Sequence, residues 1–419
     1  MTSTIHHASA PATFAALGIS EDLAEVLVGA GISRPFLIQE LTIPDALAGR
    51  DVCGKAKTGS GKTLAFGLPM IERLRPARPG EPLGLVVVPT RELAAQVDEA
   101  LSPLAAARSH NVLAVYGGSS MGAQIEALRS GVEIVVATPG RLIDLMERKA
   151  ISLGSVETLV VDEADEMADM GFLPQLQVIM RGVRGPHQTM LFSATLDHRV
   201  EILVRNYMDE PVYREVEATT STVETSEHRF LEVHHMDKPR LVARIAGSAR
   251  RTLVFVRTKY ACDRVARDLR ELGVEAKAIH GDLPQYKRER ALERFMDGST
   301  PVLVATNVAA RGLHVDGVDV VIHYDPPEDA TTYLHRSGRT ARAGDSGLVV
   351  TFVEWDQADA VRRIQREAGL LQPLTKMFSN DDRLDDLSAW APDIPVAEEP
   401  RAGQATRTSG RARRRRRML

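Results

Sequence analysis

The sequence predicts an α/β protein of two tandem units, each a parallel sheet flanked by helices, followed by a disordered basic C-terminal tail. Three observations carry this. Ten short runs are apolar at consecutive positions, as strands buried on both faces require. Helix-period segments such as "TKYACDRVARDLRELG" and "QYKRERALERFMDG" lie between them and supply the crossovers that parallel strands need. A polar stretch rich in Thr and Ser, Glu215 to Phe230, divides the runs into two sets and reads as a linker.

In chain order, "LGLVVVPT", "NVLAVYGG", "VEIVVATPG", "TLVVDEAD" and "QTMLFSAT" form the first sheet. "RTLVFVRTK", "VEAKAIHG", "VLVATN", "VDVVIHYD" and "GLVVTFVE" form the second. The expected boundaries are 1–214, a linker at 215–230, 231–370, and a tail at 371–419. In that tail the periodicity fades and prolines and acids appear, which predicts disorder. Net charge is −4, yet the last nineteen residues hold eight arginines and no acid, so the remainder carries −12. Such a basic end reads as a segment with salt-dependent attraction for polyanions, a solvated charged end or a partner-docking segment.

Hydrophobic content of 44% and charge of 26% are those of a soluble globular chain. The apolar runs are too short and interrupted to span a membrane, and the N-terminus does not read as a secretory signal, so a cytoplasmic protein is expected. Cys53 and Cys262 lie far apart and near no histidine at metal-ligand spacing. They read as reduced, packed thiols.

Ligands of parallel sheets bind at the carboxyl ends of the strands, and the informative residues cluster there. In "AKTGSGKT", Ala56 to Thr63, Gly59 and Gly61 let the backbone N–H groups converge. Lys62 brings a cation to that point, and Thr63 opens a helix with a hydroxyl suited to Mg²⁺. The loop Thr58, Gly59, Ser60, Gly61, Lys62 and Thr63 is thus a phosphate cradle, with Ala56 where the general pattern has Gly. After the strand of "TLVVDEADEMADMGF" come Asp162, Glu163 and Asp165. Asp162 can share the metal with Thr63, and Glu163 can orient and deprotonate an attacking water. In "YLHRSGRTARAG", Arg336, Arg339 and Arg342 fall at helical spacing. Placed across a cleft from the cradle, such arginines would stabilise charge on a γ-phosphate.

The chain resembles a DEAD-box ATP-dependent RNA helicase of superfamily 2, of the bacterial RhlE-like kind, over residues 14 to 370. The motifs that carry this stand in family order: Phe14 with "AGISRPFLIQ" ending at Gln39, the P-loop, "PTRELA", "GG" at 117–118, "TPGR", "DEAD", "SAT", "QYKR", "TNVAARGLHV" and "HRSGRTAR". The resemblance implies two tandem RecA-like domains that close over ATP, Mg²⁺ and RNA. It also implies ATP recognition by Gln39 with Phe14 stacking nearby, and a link from Asp165 through Ser193 and Thr195 to His335. Arg339 and Arg342 would be arginine fingers. Arg91, Gly118, Thr138, Arg141, Gln285, Arg288 and Thr306 would touch the RNA backbone, and His314 the ATP ribose. Ribonucleases or ribosomal precursors are the partners that such a helicase implies.

The chain departs from the family at Asn307 and His314, where Asp is usual, and at Phe36 and Leu37, where Thr and Pro are usual. His314 predicts weaker or pH-sensitive nucleotide binding, since a neutral imidazole accepts at one nitrogen only. Phe36 and Leu37 are expected to alter the packing under Gln39. Two other readings use the same motifs: an ATP-gated RNA clamp without productive unwinding, and a DNA-directed motor of superfamily 2.

Overall fold

The computed structural model describes residues 13–56, 59–216, 226–310, 315, 318–340 and 347–390. It contains two sheets of seven strands each. The strands of the first are β1 (Val52–Lys55), β2 (Gly84–Val87), β3 (Val112–Val115), β4 (Ile134–Ala137), β5 (Thr158–Asp162), β6 (Gln188–Ser193) and β7 (Val212–Glu215). The second holds β8 (Ser226–Glu232), β9 (Thr252–Val256), β10 (Ala276–Ile279), β11 (Val302–Thr306), β12 (Val320–His323), β13 (Gly347–Val353) and β14 (Leu374–Lys376). Their spatial orders are β3-β4-β2-β5-β6-β1-β7 and β10-β11-β9-β12-β13-β8-β14. Neighbouring strands pair in parallel throughout.

The unbroken apolar runs now have their physical reason. Successive residues of one strand enter cores on opposite faces: Val86, Val136 and Val160 join one cluster, while Leu85, Val87, Val135 and Val161 join the other. Val254, Val304 and Ile322 against Leu253, Leu303 and Val321 repeat the arrangement in the second sheet. Cys53 and Cys262 are free and buried, as expected. Burial pushes the Cys53 thiol up to about 11 and the Cys262 thiol up to about 12.

Two expectations need correction. β8 begins at Ser226, inside the segment read as linker, because its first residue already pairs with Gly347 of β13. Residues 371–390 were expected to be disordered but fold onto the second sheet. β14 pairs with β8, and Met377, Leu384 and Leu387 are buried in its core. Arg229 and Arg383 then lie over the Trp390 ring at 5.8 and 4.9 Å, a cation–π arrangement. The Arg-rich end lies outside the described residues.

In the second unit His228 and His323 are held in the core. His228 Nδ1 lies 2.6 Å from the Tyr333 hydroxyl and His323 Nδ1 3.1 Å from Thr351 Oγ1. Burial, with Arg229 adding, holds His228 down to about 4, and burial, with Arg336 and His228 adding, holds His323 well below its ordinary value. Below the ordinary value of 6.5 the unfolded chain takes up protons that the native state refuses, so stability falls with pH. For His228 alone the loss by pH 5 is about 2 kcal/mol. Thermal unfolding of the full chain should show the midpoint dropping by several degrees between pH 7.5 and 5; a flat profile would mean that the pair is not held neutral.

Candidate nucleotide and RNA site

The strand order divides the carboxyl edge of the first sheet in two. β5, β6 and β1 stand together at one end and carry the DEAD, SAT and P-loop segments, whereas β3, β4 and β2 carry the GG, TPGR and PTREL segments. The segments expected to carry phosphate chemistry and RNA-backbone contact therefore occupy adjoining halves of one edge.

At the cradle, Gly59 and Gly61 take φ of 82° and 87°, left-handed values that a side chain would strain. Gly61 caps the helix Lys62–Arg73. Lys62 is buried and, among the described residues, makes no hydrogen bond; its Nζ lies 3.4 Å from Asp162 Oδ1. Burial draws the Lys62 ammonium down, but Asp162, Glu163 and Asp165 outweigh it and hold it above its ordinary range. Burial likewise raises the Asp162 carboxyl, against the pull of Lys62. A buried ammonium that makes no hydrogen bond among the described residues, beside the two left-handed glycines of the loop, fits a phosphate oxygen. Asp162 with the half-buried Thr63 hydroxyl offers the oxygen ligands that Mg²⁺ prefers.

Glu163 caps the helix Ala164–Asp169 at φ 54°, ψ 51°. A buried non-glycine residue held in the left-handed region is a strain that cores seldom retain without a function. Here it turns the chain sharply after β5, so that Asp162 and Glu163 both stand at the strand mouth. Asp165 then reaches β6: its Oδ2 accepts from Thr195 N and Thr195 Oγ1, both at 2.9 Å, and its N–H donates to Ser193 Oγ at 3.1 Å. His335 is half-buried on the helix Ala330–Ser337.

Gln39 is 1% exposed, and its amide is already engaged on both sides. Nε2 donates to Gly61 O at 2.8 Å and Oε1 accepts from Phe36 N at 2.8 Å. The residue expected to read a base thus also fastens the P-loop, and one Nε2 hydrogen and one Oε1 lone pair remain for a nucleotide. Gln39→Ala strands two polar groups, a cost of about 1–3 kcal/mol. Both ATP and GTP should bind roughly tenfold or more weakly to this variant by calorimetry. If only ATP weakened, Gln39 would be reading the base without holding the loop. Phe14, expected to stack near the nucleotide, is 3% exposed and belongs to the core of the first unit.

On the other half of the edge, Arg91 opens the helix Arg91–Ala106. Its guanidinium lies against Gly118, where a Cβ would come within 2.4 Å of Nη1. Thr138 caps the helix Pro139–Glu147. Arg141 donates to Gln124 Oε1 at 2.6 Å, and Gln124 is a positioning residue that sequence reasoning missed. In the second unit, Thr306 ends β11 and is buried. Gln285 Nε2 reaches Glu92 Oε1 at 3.5 Å and Glu289 Oε1 at 3.1 Å.

Arg288 was expected on the RNA backbone, but in this structure it pairs with Glu92 of the first unit. Nη2 and Oε1 are 2.8 Å apart, with both side chains under 10% exposed. Glu92 sits in the quoted "PTRELA", and a carboxylate beside an arginine expected on RNA was the signal available. Arg336 was expected at the cleft, on one helical face with Arg339 and Arg342. The helix ends at Ser337, so Arg339 falls beyond it, half-buried. Arg336 turns inward: Nε donates to Asn307 Oδ1 at 2.6 Å, Nη1 to Asp325 O at 2.9 Å, and the guanidinium lies 5.2 Å from the Phe255 ring centre. That places the departure at Asn307 inside the second unit. Thr58, His314 and Arg342 lie outside the described residues.

Two family models match the chain, DEAD/DEAH box helicase over residues 36–203 and helicase conserved C-terminal domain over 237–344. The DEAD-box ATP-dependent RNA helicase CshA of Bacillus licheniformis is 42% identical over 356 residues, which is 84% of this chain and 73% of that protein. The chain belongs to the DEAD-box helicase family. The ATP-dependent RNA helicase CshA of Listeria monocytogenes is 41% identical over 364 residues, 86% of this chain and 70% of its own length. Among solved structures, S. cerevisiae Dbp5 bound to RNA and ADP BeF3 superposes with a TM-score of 0.76 at 27% identity, covering 90% of this chain and 97% of that one. A DEAD-box helicase therefore has the tandem RecA-like architecture expected here, and the RhlE-like subtype is narrower than these matches. Among the described residues, no helix is long and apolar enough to cross a membrane.

Proposed function

We propose that this DEAD-box helicase couples ATP hydrolysis to local opening of short RNA duplexes by closing its two domains over both ligands. The observation that carries this is the buried Glu92–Arg288 pair, which joins the backbone-binding edges of the two domains. The cradle of Gly59, Gly61, Lys62 and Thr63 binds the triphosphate, and Asp162 with Thr63 would hold the Mg²⁺ that neutralises its charge. Glu163 takes the proton from the attacking water, and Arg339 with Arg342 would serve as the arginine fingers that stabilise charge on the γ-phosphate. Asp165, tied to Ser193 and Thr195, carries the state of the nucleotide toward the RNA side.

Arg91, Gly118, Thr138, Arg141, Gln285 and Thr306 offer hydroxyl, amide, guanidinium and backbone groups, the set that grips sugar and phosphate without reading bases. Binding is then independent of sequence, and contact with the 2′-hydroxyl favours RNA. A cytoplasmic site of action, with ribosomal precursors or ribonuclease-bound transcripts as targets, belongs to the same proposal; its support is the family.

The test is ATP turnover without nucleic acid, with single-stranded RNA and with DNA of matched sequence, followed by displacement of a short RNA strand. RNA-selective stimulation with displacement is expected. Equal stimulation by DNA would favour the motor, and RNA held with an unhydrolysable ATP analogue but never displaced would favour the clamp.

A further inference from the structure

Phe36 is 60% exposed although Pro35, Ile38 and Gln39 around it are buried. Its ring lies against the P-loop: a Cβ on Gly61 would come within 2.5 Å of both Phe36 Cδ2 and Gln39 Nε2. The Phe36 N–H also donates to Gln39 Oε1 at 2.8 Å. Phe36, Gln39 and Gly61 therefore form one continuous wall beside the start of the helix Lys62–Arg73. Phe14, the aromatic expected to stack near the nucleotide, is 3% exposed and packed into the core, so it has no comparable open face.

Resting on the ATP reading above, we propose that Phe36 is a nucleotide-binding residue whose open ring packs on the purine while Gln39 meets the purine edge. A large apolar ring left in water beside a phosphate cradle gains by being covered with another flat ring, and any purine presents one. The residue that replaces the usual Thr thereby supplies affinity through area, whereas Gln39 supplies direction. The side chain is on the surface and its link to Gln39 is through the main chain, so substitution leaves both the fold and that hydrogen bond in place.

The experiment uses the full chain and titrates ADP and inorganic pyrophosphate into wild type, Phe36→Thr and Phe36→Trp by calorimetry. ADP should bind about tenfold more weakly to Phe36→Thr and within about twofold of wild type to Phe36→Trp. Pyrophosphate, which has no base, should bind all three alike. The native tryptophans, Trp355 and Trp390, both lie in the second domain, so the indole introduced by Phe36→Trp reports locally. Its fluorescence should be quenched by ADP and not by pyrophosphate. Equal ADP affinity in Phe36→Thr and wild type, or no quenching by bound ADP, would overturn the proposal. A wild type that binds neither ADP nor pyrophosphate would remove the ATP reading beneath it.

Discussion

Glu163→Gln should lose about two to four orders of magnitude in ATP turnover, the range that a positioned general base contributes, while still forming the ternary complex with ATP and RNA. The amide keeps the size and the left-handed backbone at φ 54° but cannot take a proton from water. Asp162 and Lys62, 3.4 Å apart, are untouched, so nucleotide binding should persist. Single-turnover hydrolysis with RNA anisotropy in ATP would check this. Turnover within a few-fold of wild type would assign the base to another group, and loss of the RNA complex together with turnover would make Glu163 a structural residue.

The second large effect concerns closure. Arg288→Ala leaves Glu92 buried without its charge partner, and Glu92→Ala does the same to Arg288. Breaking a buried pair costs about 3–5 kcal/mol. The cost falls on the closed form alone, because in an open form both side chains regain water. Each variant should therefore bind RNA in the presence of an ATP analogue about a hundredfold or more weakly and still bind ADP in the first domain. The double variant should lose less than the two single losses combined, which a double-mutant cycle reads directly. Were Arg288 solely a phosphate contact, Glu92→Ala would leave RNA binding unchanged or improve it.

The pieces of the site that lie on contiguous residues were legible in the sequence. The turn from β1 into the helix Lys62–Arg73 and the turn after β5 each place their residues through local backbone geometry, so glycine spacing and an acid after an apolar run suffice to find them. Strands buried on both faces were legible for the same reason, since every residue of "LVVV" must be apolar. The elements missed were those whose signal is diluted or borrowed. β1 reads "VCGK", and its Gly54 is where a Cβ would meet the Phe192 ring at 2.6 Å. β7 is half exposed, and β14 has three residues and exists only by pairing with β8. The C-terminal segment after Leu371 looked disordered because its few apolar residues, Met377, Leu384 and Leu387, find a core only in three dimensions.

By itself, then, the sequence determined two parallel α/β domains, a phosphate cradle with its acids, and membership of a helicase family by ten motifs in order. The tertiary structure decided which charges meet. Arg288 pairs with Glu92, Arg336 donates to the Asn307 side chain and the Asp325 main-chain carbonyl, and Gln39 holds the Gly61 carbonyl. The reason is physical: local conformation follows from near neighbours along the chain. The partner of a buried charge or amide is whatever group the packing of distant segments brings within hydrogen-bond reach, and burial makes that choice costly to change.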